Sequence, residues 1–149
     1  MTLITAQQRP SAAARRFGYG VAIVLNAAVL AAVNVWPGWQ IIPFLTADMV
    51  MVLPWMNASI IAGVVANTVY LVDDRPRLRA LGNVVTTLIG AIGLVRMWQV
   101  FPFDFGDAGF DWALVMRVLL ALGLIGSVIA IVASIVTLVS PAQTTRSRA

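Results

Sequence analysis

An all-α integral membrane domain, a four-helix up-down bundle with both termini in the cytoplasm, is predicted from three observations. Four apolar runs, at about 18–35, 48–72, 80–101 and 112–139, each reach the roughly 18 residues that mark a membrane-helix candidate. The chain is 60% apolar and 11% charged, against about 45–50% and about 25% in soluble domains. Its arginines also alternate by segment. Arg9, Arg15 and Arg16 precede the first run, Arg75, Arg77 and Arg79 separate the second from the third, and Arg146 and Arg148 follow the fourth. The other two connections, 36–47 and 102–111, hold none. Short basic segments stay on the cytoplasmic side, which sets the orientation.

Residues 1–17 read as a cytoplasmic tail. The apolar run that follows is longer than a signal-peptide core, so it is read as an uncleaved first helix. Segment 36–47 is uncharged and broken by Pro37, Gly38 and Pro43, with Trp36 and Trp39 suited to the headgroup level. In the second helix Pro54 marks either a kink or the true start. Segment 73–79, DDRPRLR, reads as a tight charged turn with Pro76 as its breaker. The transmembrane domain thus covers 18–139, and 140–149 is a second cytoplasmic tail.

Without a hydrophobic drive between helices in lipid, association rests on small residues and side-chain hydrogen bonds. Stripes of such residues run along every helix: Gly20, Ala27, Ala31 and Asn34 in the first; Ser59, Gly63, Ala66 and Tyr70 in the second; Asn83, Thr86, Thr87, Gly90 and Gly93 in the third; and Gly123, Ser127, Ala130, Ser134 and Thr137 in the fourth. They imply a compact bundle with a dry interior.

Arg96 is the most informative single residue. The uncharged stretch before it, 80–95, rises only about 24 Å, too little to span a core of about 30 Å. A charge at that depth needs a partner or a route to water. The outer aspartates Asp48, Asp104, Asp107 and Asp111 are the candidate partners, with Arg117 marking the outer end of the fourth helix. Asn34 would lie at a depth comparable to Arg96. Trp36, Trp39, Trp55, Trp98 and Trp112 are the candidate interfacial anchors.

The missing residue types exclude much chemistry. All ten positive side chains are arginine, all six negative ones are aspartate, and histidine and cysteine are absent. A Ser-His-Asp triad is impossible, and ordinary zinc, thiolate and haem ligation are nearly excluded. No acid lies at mid-membrane, so a carboxylate proton relay is missing. No metal and no cofactor are expected. The arginines flank apolar helices, which argues against a nucleic-acid partner despite a pI near 11.1. The residue usage resembles that of a GC-rich bacterial genome. The leading expectation is a multi-pass, non-enzymatic accessory or assembly subunit of a bacterial inner membrane. Its partners would be lipids and other membrane subunits or further copies of itself. The alternative is a small homo-oligomeric channel or transporter with Arg96 lining a polar path.

Overall fold

In a computed structural model the chain is described over residues 11–140 apart from Ala108; Arg9, Arg146, Arg148 and most of both expected tails lie outside the described residues. The protein is helical, with α1 at Ala12–Asn34, α2 at Met49–Val72, α3 at Pro76–Val100 and α4 at Trp112–Val139. A single 3₁₀ turn, Trp39–Ile41, lies between α1 and α2. All four helices are long and apolar enough to cross a membrane. The shortest has 23 residues and rises about 35 Å at ~1.5 Å per residue, more than a bilayer core of about 30 Å.

Local chemistry explains where the helices start. The Ser11 side chain accepts the Ala14 N–H at 3.2 Å and caps α1. The helix therefore begins at Ala12, six residues before the expected start, and carries Arg15 and Arg16 with it. Pro76 does not break a turn but occupies the first position of α3. Its missing N–H would be unpaired there in any case, and its fixed φ suits a helix start. The charged turn shrinks accordingly, and Arg77 and Arg79 become first-turn residues of α3. Pro54 lies inside α2, which starts at Met49. The Asp111 carboxylate caps α4 by accepting the Leu114 N–H at 2.8 Å.

Each helix packs on its neighbour in sequence: α1 on α2, α2 on α3, and α3 on α4. No other helix pair packs together among the described residues, so α1 and α4 close no interface. The start of α1 lies beside the end of α2, where the rings of Tyr19 and Tyr70 meet edge to face at 5.5 Å. Farther along, the side-chain amides of Asn34 and Asn57 exchange two hydrogen bonds of 2.9 and 2.7 Å. A reciprocal amide pair satisfies two donors and two acceptors that lipid could not, with each bond contributing about 0.6 kcal/mol.

The α2–α3 seam is built from small residues. Gly63 of α2 faces Asn26 of α1, whereas Gly90 of α3 faces Ser59 and Gly93 lies against the Trp55 backbone. The backbone of Trp55 thus belongs to the seam. On α4, Gly123 accommodates Leu94 of α3. The expected stripe holds on α2 and, apart from the exposed Asn83, on α3, and fails in part elsewhere. Ala27 and Ala31 of α1 and Ala130 of α4 are exposed, and a Cβ at Gly20 would touch nothing within 4 Å. They belong to the outer faces of the two end helices, which have no neighbour to fill. Among the described residues the buried side chains are few: Met49, Val52, Tyr70, Ala80, Pro102 and Leu120.

Two ends can be distinguished. At the loop end, the segments before α2 and after α3 interlock. Thr46 N–H donates to Pro102 O at 3.1 Å and Asp104 N–H to Phe44 O at 2.9 Å, around an antiparallel bridge between Leu45 and Phe103. Phe44 stacks on Phe105 at 5.5 Å, and Phe105 on Phe103 at 6.0 Å. At the turn end, α2 and α3 are joined only by Asp73, Asp74 and Arg75.

Gly82 is the tightest point of the α2–α3 seam. A Cβ there would fall on the Tyr70 hydroxyl and ring, and Tyr70 is only 5% exposed, so the ring has nowhere to go. Gly82→Ala is expected to destabilise the protein by about 1–3 kcal/mol, the usual range for overpacking. Thermal denaturation in detergent measures this, and an unchanged midpoint would show that the ring relocates freely.

Candidate functional site

The most developed polar site lies at the turn end. Three pieces of chain converge on Asp74. Arg15 and Tyr19, four residues apart on α1, lie on one helical face. Arg79 and Asn83 have the same spacing on α3. Tyr70 stands on the last turns of α2, and Asp74 follows in the turn.

The Asp74 carboxylate accepts Arg15 Nε at 2.6 Å on one oxygen and the Tyr19 hydroxyl at 2.6 Å on the other. Arg79 Nε lies 3.2 Å from that second oxygen, but off the N–H direction, so this buried group has no hydrogen-bond acceptor. The same guanidinium reaches the Tyr19 oxygen through Nη1 at 3.4 Å. Tyr70 donates to the Arg79 carbonyl at 3.1 Å and stands 3.5 Å from Asn83 Oδ1. The Asp74 side chain is 15% exposed, whereas those of Arg15 and Arg79 are 33% and 35% exposed. Hydrogen bonds from Tyr19 and then Arg15 hold the Asp74 carboxyl below the usual carboxylate range, against a smaller opposing effect of desolvation.

A cavity of about 460 Å³ opens beside this node. All four helices contribute to its wall: Tyr19 from α1, Asn67 and Tyr70 from α2, Arg79, Asn83 and Thr86 from α3, and Ser134 and Thr137 from α4. The gap between α1 and α4 is therefore a polar cleft where a dry interior was expected. Some of its polar groups are satisfied locally. Asn67 Nδ2 donates to Gly63 O at 2.7 Å, and the hydroxyls of Thr86 and Thr137 bond to carbonyls of their own helices.

The residues singled out in the sequence lie mostly at the other end. Arg96 is exposed, and among the described residues no ion pair or hydrogen bond involves it. The expected pairing with an outer aspartate does not form, for two reasons. The aspartates serve the backbone instead: Asp104 accepts the Gly106 N–H at 2.9 Å, and Asp111 caps α4. Arg96 also lies four residues from the end of α3, about 6 Å of rise, within the reach of a snorkelling arginine. Asp48 precedes α2 without capping it through its side chain, and Asp107 is exposed.

Arg117 contributes more than an end marker. Its guanidinium carbon lies 4.2 Å from the centre of the Phe101 ring and 5.7 Å from that of Trp98, tying α4 to the end of α3. Phe101 takes a left-handed backbone with φ of 46° as the C-cap of α3. Trp36 and Trp112 are exposed, Trp98 nearly as much so, and Trp39 is half-buried at the start of the 3₁₀ turn. Asn34 is occupied by its amide pair with Asn57.

The node around Asp74 was missed in the sequence because 73–79 was read as a turn and nothing more. The available signal was the pair Asp73-Asp74 inside an otherwise arginine-rich segment, with a tyrosine four residues before Asp74 and an Arg-Tyr pair of the same spacing, Arg15 and Tyr19, on α1. No group of three or more potential metal-ligating side chains occurs among the described residues. No protein-family model, curated protein or solved structure matches the chain.

The lowered Asp74 value gives a signed pH dependence. Its stabilising contribution is complete above the unfolded value, about 3.9, and is lost as pH falls through the lower folded value. Asp74→Asn should therefore melt below the wild type at neutral pH in detergent, with the gap closing in acid. A gap that stays constant from neutral pH down to about 3 would show that the node adds no pH-dependent stability.

Proposed function

We propose that the protein is a four-pass, up-down membrane subunit with both termini in the cytoplasm. It acts without catalysis, as an accessory or assembly component that binds other membrane subunits or further copies of itself in a bacterial inner membrane. The observation that carries this reading is the unclosed helix series. The end helices α1 and α4 each have one interface within the chain, and small residues lie on their free faces. On α4 these are Gly126, Ala130 and Ala133, all exposed and spaced four and three apart; on α1 they are Ala27 and Ala31. Small residues at this spacing permit close backbone approach by another helix. The interlocked loop end supports the same reading, because two loops fixed by backbone bonds and stacked rings present a rigid surface.

The second reading is a homo-oligomeric channel or transporter. It is favoured by Arg96, whose exposed guanidinium is available to a path between copies. A path through one chain has less support. The neighbouring cleft, lined by Val52, Trp55, Met56, Leu94 and Met97 together with Ser59, Thr87 and Ser127, is largely apolar and offers an ion only a few hydroxyls to replace its water.

The test combines assembly and flux. A Cβ at Gly126 would meet nothing within 4 Å, so Gly126→Leu should leave the stability of the isolated chain within about 0.5 kcal/mol while reducing the size of the natively purified complex. Proteoliposomes of the wild type should pass no anions. Anion flux that Arg96→Gln abolishes would replace this reading with the second one. Reporter fusions after Ala149 and within 104–109 should report cytoplasm and exterior respectively.

A further inference from the structure

We infer that the cavity beside Asp74 binds a phosphate oxyanion, as carried by the headgroup of an anionic phospholipid. This goes beyond the subunit role, and neither reading requires the other.

The inference rests on an excess of donors. A guanidinium offers five N–H donors in a fixed fork. Among the described residues the one hydrogen bond of the Arg79 side chain is the long one to Tyr19, and its buried Nε, ion-paired with Asp74 at 3.2 Å, is off line for a second. Two further donors line the same cavity. The exposed Asn83 amide stands 3.5 Å from the Tyr70 hydroxyl, whose proton goes to the Arg79 carbonyl, and the Ser134 hydroxyl makes no hydrogen bond among the described residues. The Arg79 guanidinium, the Asn83 amide and the Ser134 hydroxyl all line the cavity, and a ligand rich in acceptors would engage them together. A phosphate, with several oxygens around one centre, suits a guanidinium fork better than a single carbonyl does.

Charge and position favour the lipid as the source. Five arginines, Arg15, Arg16, Arg75, Arg77 and Arg79, cluster at this end against Asp73 and Asp74. Basic pockets between membrane helices at the headgroup level attract anionic lipids. An apolar groove between α2 and α3, walled by residues such as Ile61, Val65 and Leu81, shares Ala66 and Thr86 with the cavity wall. Apolar surface for an acyl chain thus adjoins the polar surface for a headgroup.

The full-length protein in detergent would be titrated with phosphatidylglycerol, phosphatidylcholine or inorganic phosphate. Bound lipid is read by native mass spectrometry and stability by thermal denaturation. Phosphatidylglycerol should be retained in preference to phosphatidylcholine and raise the melting temperature. Arg79→Gln and Ser134→Ala should each lower that retention several-fold. Ser134→Ala removes no hydrogen bond of the fold, so it remains informative if Arg79→Gln unfolds the protein. Arg77→Gln, an exposed charge outside the cavity wall, should leave the preference in place. Stabilisation by inorganic phosphate without lipid retention would assign the site to free phosphate, with the oxyanion chemistry upheld. No preference among the three ligands, or equal losses in Arg77→Gln and Arg79→Gln, would overturn the inference.

Discussion

The carboxylate of Asp74 is the contact on which the arrangement of the helices most depends. It accepts from Arg15 and Tyr19 of the first helix and stands beside Arg79 of the third, so one side chain fixes three segments at the turn end. The first helix packs along α2 but contributes no buried residue; beside the node it is held by the Tyr19–Tyr70 ring contact and the Asn34–Asn57 amide pair. An exposed ion pair contributes at most about 1 kcal/mol. A carboxylate shared between a guanidinium and a phenol, at the boundary of an apolar phase, has fewer competing waters and a more defined geometry. The node therefore specifies where α1 docks more than it adds to total stability.

The opposite end is held by different means. There the backbone of one loop donates to the carbonyls of the other, three phenylalanine rings stack, and Arg117 lies over Phe101. Asp104 and Asp111 of this end satisfy N–H groups of their own turns. Charge thus organises the turn end and aromatic surface organises the loop end, which matches the uneven distribution of the two residue types along the chain.

The sequence was informative where a single helix decides the outcome. The four apolar runs correspond to the four helices, and the ends of α2, α3 and α4 fall close to where the runs end. The differences arise at caps and charges. Ser11 extends α1 backward, and Pro76 begins a helix where it was read as ending a turn. Pairings between helices were less legible. Small-residue stripes identify faces able to pack but not which faces find a partner, so Ala31 and Ala130 are exposed while Gly63 and Gly93 are covered. The weight placed on Arg96 came from counting apolar residues from position 80. Arg79 and Arg96 are 17 positions apart, about 25 Å of rise and still short of the core thickness, but Arg96 lies one turn from the end of α3 and its long side chain can reach the boundary. Asp74 was overlooked because three of its neighbours are distant in sequence or belong to another helix.

The serial packing also bears on how the protein is made. Among the described residues every helix interface joins helices adjacent in the sequence, so only the loop interlock and the Asp74 node wait for a distant part of the chain to be synthesised. Chains dominated by local contacts fold quickly, and segments can dock in the order in which they emerge. The first pair of helices can clasp through its amides before the third exists. The Asp74 node then closes when the start of α3 delivers Arg79, so that one arginine marks the completion of the first hairpin and the arrival of the second.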